Sequence, residues 1–143
     1  MSALVKGISV IPMTDLSERE ELLERAGHQY HFVRELAKLN SVLGDELLAH
    51  MLQISAASLQ RYQNGNREAS DLVAARAHFL TAVIAALEGT YNEFGIRRWF
   101  DRPRSAFGGR SARQLLAPRW TSRDEGALRV LNAAESLQHL GAT

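Results

Sequence analysis

The sequence predicts an all-α fold, and three observations support this. Apolar residues recur at helical spacing in several segments, serines suited to helix capping precede several of them, and only Ile8–Ile11 could form a strand. The 143 residues, 45% of them hydrophobic, suit one domain or two small helical lobes that share a core. No apolar run approaches the roughly 18 residues of a membrane span, so no membrane partner is expected.

The first predicted helix begins at a capping box formed by Ser17 and Glu20, and it ends near Asn40–Ser41. Residues 1–16 precede it as a flexible or strand-like arm, which has no convincing cleavage site and is not a signal peptide. The inward stripe of this helix is predicted from its spacing to be Leu22, Ala26, Tyr30, Val33, Leu36 and Ala37.

Two short helices follow, over Asp45–Leu52 and Ala56–Gln63, and Gly65 ends the second of them. Ser70 is placed to cap a long helix from Asp71 to about Leu87, which Gly89 ends. Its inward residues are predicted to be Leu72, Phe79, Leu80, Val83, Ile84 and Leu87.

Three more helices are predicted in the last third. The first runs from Tyr91 to Phe100 and ends at Arg102–Pro103. After a Gly108–Gly109 turn, Ser111 caps a short helix that holds Leu115 and Leu116. A capping box of Ser122 and Glu125 starts the last helix, with Leu128, Leu131, Ala134 and Leu137 inward and Gly141 just past its end. We divide the chain into a helical domain over 17–94 and a second helical module over 95–143.

Residues 43–65 fit a helix-turn-helix. Ala49 is small where two helices must cross, Leu52 and Ile54 are apolar around the turn, and Ser55 can cap the second helix. Leu59 and Tyr62 then face the core, and the predicted DNA-binding residues are Ser55, Ala57, Ser58, Gln60, Arg61 and Arg67. The alternative is that these are two short packed helices with no DNA-binding role.

Charge is distributed unevenly along the chain. Residues 44–95 hold three basic and six acidic residues, and only Arg61, Arg67 and Arg76 could meet phosphates there. A homodimer would therefore be needed to read two half-sites on operator DNA. Residues 96–143 hold nine arginines, four acidic residues and no lysine, which predicts that this part meets an acidic partner.

The segment 95–116 combines aromatic and basic residues. Trp99 and Phe100 stand among arginines, and we expect one of the two rings in the core and the other toward an edge or partner. The alternative is that both rings are core and the arginines form a solvated rim. For Gly108–Gly109, a tight turn that needs glycine is favoured over a phosphate cradle, since no Walker lysine is present.

These residues carry a family resemblance. The stretch WFDRPRSAFGGRSARQLL, followed by Asp124-Glu125-Gly126 and an apolar helix, resembles the toxin-binding domain of Xre/MbcA/ParS-type antitoxins. The order of parts, an Xre-like helix-turn-helix before this module, also matches, so the resemblance covers about residues 43–140. The chain departs from the pattern at Arg104, where a small polar residue is usual, and at Ala112, where proline is common.

The resemblance implies an antitoxin of a type II toxin–antitoxin pair, with a RES-domain toxin as its partner. RES domains are associated with NAD-consuming chemistry, and the antitoxin would block the toxin's active site and repress its own operon. The toxin-binding residues that we infer on this basis are Trp99, Arg102, Arg104, Arg110, Arg113, Arg129 and Leu137.

Two other functions compete with this one. A stand-alone transcriptional regulator would use the arginines on DNA phosphates. A small metal enzyme would use Glu24, His28 and His31, which share helical spacing, although a closed zinc site generally needs four ligands. No nucleophile motif occurs, so we expect neither catalysis nor a cofactor or metal. The lack of cysteine suits the cytoplasm.

Overall fold

A computed structural model of the chain describes residues 16–141, and in that range the fold is all-α, as predicted. The predicted strand at Ile8–Ile11 and nearly all of the N-terminal arm lie outside the described residues. None of the described helices is both long and apolar enough to cross a membrane. The helices are α1 (Leu16–Leu43), α2 (Asp45–Leu52), α3 (Ala56–Gln63), α4 (Asp71–Leu87), α5 (Glu93–Asp101), α6 (Ala112–Leu115) and α7 (Glu125–Gly141), with a 3₁₀ turn at Ser105–Phe107.

Helices α2, α3 and α4 begin and end where the sequence predicts. Ser55 and Ser70 cap α3 and α4, and each hydroxyl accepts a hydrogen bond from the backbone three residues later. Helix α5 starts at Glu93 and not at Tyr91, because the Asn92 side chain caps it by accepting from the Gly95 amide at 2.8 Å. Local polar groups therefore set most of these boundaries.

The predicted limits of α1 are wrong, and of its predicted inward stripe only Leu36 is fully buried in the core. Leu16 is already helical, so Ser17 does not precede the first turn, and the helix continues beyond Asn40–Ser41 to Leu43. The core face is formed by Phe32, Leu36, Leu39, Val42 and Leu43. The predicted inward residues Leu22, Ala26, Tyr30 and Ala37 are instead exposed. Two apolar stripes run along this helix, and only one of them packs on the core.

Two further details differ from the prediction. Leu72 and Leu128 are 45% and 49% exposed, so neither faces the core. The start of α7 is held by Thr121 and Asp124, and not by Ser122 and Glu125. The Thr121 amide and hydroxyl both donate to the Asp124 carboxylate at 2.9 Å, which holds the pKa of Asp124 below its ordinary value.

One buried cluster runs across the predicted division at residue 95. It joins the core faces of α1 to α4 with Ile96, Trp99 and Phe100 from α5 and with Ala127, Val130 and Ala134 from α7. Helices α4 and α7 pack closely against each other. The N-terminal and C-terminal parts therefore share a core, with no gap between them.

Candidate DNA-binding and protein-binding surfaces

Helices α2 and α3, joined by a short turn, occupy the segment for which a helix-turn-helix was predicted. Ala49, Leu52, Leu59 and Tyr62 are all less than 9% exposed, as their predicted roles at the crossing and in the core require. Between the helices Gln53 adopts a left-handed conformation with φ of 61°, and its amide donates to the Ala49 and His50 carbonyls. These hydrogen bonds from the Gln53 backbone amide satisfy two carbonyls in the last turn of α2.

The predicted DNA-binding residues lie together on one outer surface. The Arg67 guanidinium lies over the Tyr62 ring at 5.1 Å from Cζ to the centroid, and Nη1 donates to the Ser58 hydroxyl at 3.1 Å. These contacts hold Arg67 against α3, and they leave Ser58 half-buried with its oxygen already engaged. The exposed members of the set are Ser55, Ala57, Gln60, Arg61 and Arg67.

Arg76, which the sequence offered as a phosphate contact, is not available to a ligand. It is 5% exposed, Nε donates to the Trp120 carbonyl at 2.9 Å, and Nη1 donates to the Leu52 carbonyl at 3.1 Å. Burial lowers the pKa of this guanidinium. The Trp120 indole also donates to Met51, with 2.7 Å between Nε1 and the carbonyl oxygen. Arg76 and Trp120 together satisfy carbonyls at the C-terminal end of α2.

The segment between α6 and α7 contributes an arginine that was not predicted for this surface. Because Trp120 is anchored to α2, its neighbour Arg119 lies beside the turn, with 3.5 Å between the Arg119 amide nitrogen and Gln53 Oε1. Arg119 is exposed. Its position depends on a contact 66 residues away in sequence, which no local pattern indicates.

Trp99 and Phe100 are both in the core, at 2% and 0% exposure. Their rings meet edge to face at 5.4 Å between centroids, and the Phe107 ring lies 6.3 Å from that of Trp99. The prediction that one of the pair faces a partner is therefore wrong. Trp99 supports the surrounding surface from below and does not form part of the exposed contact area.

The exposed aromatic residue of this region is Phe94, 63% exposed, which was not among the predicted site residues. It stands on α5 at the edge of a cavity of about 230 Å³. We name this feature the basic aromatic cleft; it is lined by Tyr91, Asn92, Phe94, Gly95, Arg98, Trp99, Arg102 and Arg104. The local sequence signal for this cleft is Arg98, which lies one helical turn after the aromatic residue Phe94.

Three arginines give the cleft its charge. Arg98 lies over the Phe94 ring at 5.6 Å, and Arg104 lies over the Trp99 ring at 4.7 Å. Arg104 Nε is buried and has no hydrogen-bond partner among the described residues, and burial lowers the pKa of this guanidinium. None of the three forms an ion pair with a described carboxylate. The cleft is therefore positively charged and able to accept an anionic group.

The other predicted toxin-binding residues lie outside the cleft. Arg113 pairs with two carboxylates, Glu46 on α2 at 3.1 Å and Asp101 on α5 at 2.8 Å. Arg129 pairs with Glu125 within α7, and Leu137 is half-buried against the core. Arg110 is exposed, and its carbonyl accepts a hydrogen bond from the Arg104 amide. Of the predicted set, only Trp99, Arg102 and Arg104 line the cleft.

Gly108 and Gly109 form the tight turn, with φ of 66° and 84°. Helix α6 has only four residues, and its first turn is closed by the Ser111–Gln114 capping box. Because the backbone amides of Ser111 and Gln114 already donate within the capping box, few free amides are left for a phosphate. The geometry therefore favours a tight turn over a phosphate site.

His28 and His31 are exposed on α1. In the described part of the chain, no group of three or more His, Cys, Asp or Glu side chains is placed to hold a metal ion. Comparison of the chain with protein families, with curated proteins and with solved structures finds no match.

Proposed function

We propose that this chain is the antitoxin of a type II toxin–antitoxin pair, binding its toxin through the basic aromatic cleft and operator DNA through α3. The partner is a RES-domain, NAD-consuming toxin in the cytoplasm, whose active site the antitoxin blocks. The family part of this proposal comes from the motif at residues 99–116, and the two surfaces are the structural support for it.

The cleft is the observation that carries the protein-binding part. An exposed phenylalanine beside three arginines without described counter-charges is typical of interface anchors, which are enriched in aromatic residues and Arg. A volume of about 230 Å³ lies below the roughly 300 Å³ at which small-molecule pockets begin. It suits one or two acidic side chains of a protein better than a whole cofactor.

The experiment is co-expression with the toxin encoded by the adjacent reading frame. Phe94→Glu and Arg102→Glu should abolish rescue of cell growth, because each places a negative charge in the cleft. Leu128→Glu, which changes a residue of similar exposure on α7, should leave rescue intact. Point variants are required here, since deleting residues 96–143 would remove part of the shared core. Full rescue by both cleft variants would disprove the cleft as the binding site.

A stand-alone transcriptional regulator is the second candidate, and the position of Arg119 favours it. This residue adds a positive charge beside the turn, where residues 44–95 alone offer few. Operator binding by the purified chain, measured against salt concentration, distinguishes the two functions. Tight binding together with no effect on any neighbouring protein would favour the regulator.

A further inference from the structure

The outward stripe of α1 repeats every seven residues. Leu16, Leu23 and Tyr30 are 74%, 66% and 59% exposed and follow each other at intervals of seven. Three residues after each of them come exposed Arg19, exposed Ala26 and half-buried Val33, so this second row is apolar at two of its three positions. Alternating steps of three and four residues are the a and d positions of helices that pair along a seam. The spacing of this stripe is thus that of a helix-pairing seam with one charged position, Arg19, and Leu16, Leu23 and Tyr30 remain exposed in it.

The stripe leads into a depression on the body of the protein. A cavity of about 320 Å³ lies at the C-terminal end of α1, lined by Val33, Ala37, Asn40, Ser41 and Gln63. Asn40 Oδ1 is buried and accepts no hydrogen bond from the described residues. The continuous surface from Leu16 to Asn40 extends for about 37 Å along the helix.

We propose that a second copy of this chain covers the stripe, with the two α1 helices antiparallel and a two-fold axis near residue 28. Leu23 then lies opposite Val33 of the second copy, and Ala26 opposite its Tyr30. Leu16 enters the depression beside Asn40 of the second copy. The contact is isologous and closes on itself as a dimer. The evidence for it is separate from that for the toxin and the DNA.

Charge complementarity selects this register. Glu20 and Arg34 flank the seam, and the antiparallel register brings Glu20 beside Arg34 of the second copy on both sides of the axis. Neither residue forms an ion pair with another described residue. Arg34 already lies along the stripe, over the Tyr30 ring at 5.6 Å. A parallel pair would put Gln29 beside Arg34 and Leu22 beside Gly27, with no ion pair.

Gly27 also supports this contact. Glycine in a helix interior is destabilising relative to alanine, and a Cβ at this position would meet nothing within 4 Å. No contact within the described chain therefore requires glycine here. In the proposed register Gly27 lies beside Gly27 of the second copy, next to the axis, where a missing side chain lets two backbones approach closely.

The first test is sedimentation of the full chain at several concentrations. We expect a dimer, and Leu23→Glu should raise its dissociation constant at least about tenfold, because two charges enter the seam. Leu128→Glu on α7 is the matched control and should leave the dimer unchanged. Circular dichroism should show the same helix content for all three proteins. A monomeric full chain, or a dimer indifferent to Leu23→Glu, overturns the proposal in favour of residues 1–15 or a different protein as the occupant.

The second test addresses the register. Glu20→Arg and Arg34→Glu should each weaken the dimer, and the double variant should restore it. The chain has no cysteine, so one introduced cysteine takes one spin label. The antiparallel register separates the two labels along the helix axes by about 30 Å at Glu18→Cys and by about 9 Å at His31→Cys. Equal distances at the two sites, or no rescue by the double variant, would exclude this register.

Discussion

Arg76 Nε donates to the Trp120 carbonyl at 2.9 Å, and the same guanidinium lies over the Trp120 ring at 5.6 Å. Both residues also bond to α2, through the carbonyls of Leu52 and Met51. This pair ties the segment before α7 to α2. The contacts with α2 are buried, so removing either partner leaves a carbonyl without a donor.

Replacement of Arg76 by Met should therefore lower the free energy of unfolding by about 2–5 kcal/mol, since two buried carbonyls lose their donor. Arg61→Met is the matched control, because Arg61 is exposed and such changes usually stay within about 0.5 kcal/mol. Urea denaturation measures both. Equal stability of the two variants would mean that the Arg76 contacts contribute nothing.

Operator binding should depend on Arg119. If this residue contacts a phosphate, Arg119→Ala should weaken binding to all sequences alike and reduce the slope of log K against log salt by about 1. Gln60→Ala should instead relax the base preference, at about 1–3 kcal/mol for the lost contact. Fluorescence anisotropy at several salt concentrations distinguishes these outcomes. An unchanged slope for Arg119→Ala would place this residue away from DNA.

The two surfaces should be separable. Arg102→Ala should weaken toxin binding by about 2 kcal/mol, roughly thirtyfold, and leave operator binding by the free chain intact. Arg61→Ala should do the reverse. Calorimetry with the toxin and anisotropy with DNA provide the two readouts. Loss of both activities in either variant would show that the surfaces are not independent.

Gly108 should tolerate substitution less well than Gly89. A methyl group added at either position would meet no atom within 4 Å, but Gly108 has φ of 66° whereas Gly89 has no such positive angle. Gly108→Ala should cost about 1–2 kcal/mol of stability from backbone strain alone. Gly89→Ala should be nearly neutral by comparison. Thermal unfolding of the two variants makes the comparison.

The Glu46–Arg113 pair should contribute stability that depends on pH. The hydrogen bonds from Arg113 lower the pKa of Glu46, so the folded state binds this proton less readily than the unfolded state. This stabilisation is fully present above the pKa of Glu46 in the unfolded chain, about 4.3. It is lost as the pH falls through the lower pKa that Glu46 has in the folded protein. The Glu46 side chain is 77% exposed, so the pair should be worth about 0.5 kcal/mol at neutral pH. The difference in free energy of unfolding between wild type and Glu46→Gln should vanish as the pH approaches the point at which the protein unfolds in acid. A difference that stays constant with pH would contradict this prediction.

Local signals predicted the boundaries of α3 and α4, because the Ser55 and Ser70 caps act within one helical turn. The inward face of α1 was not predictable in the same way, since this helix carries two apolar stripes and periodicity does not say which one meets the core. The pattern of residues 43–65 predicted the bounds of α2 and α3. The burial of Arg76 and the position of Arg119 were not predictable, because both depend on Trp120, which is more than 40 residues from Arg76.

The core shared across residue 95 has a consequence for how such a protein diversifies. A recombination event that exchanged the C-terminal third for that of a relative would remove two contacts with α2. These are the hydrogen bond from Trp120 to Met51 and the ion pair of Arg113 with Glu46. Descendants with new partners should thus arise by stepwise replacement of solvent-facing side chains, while the packing between the N-terminal and C-terminal parts is inherited unchanged.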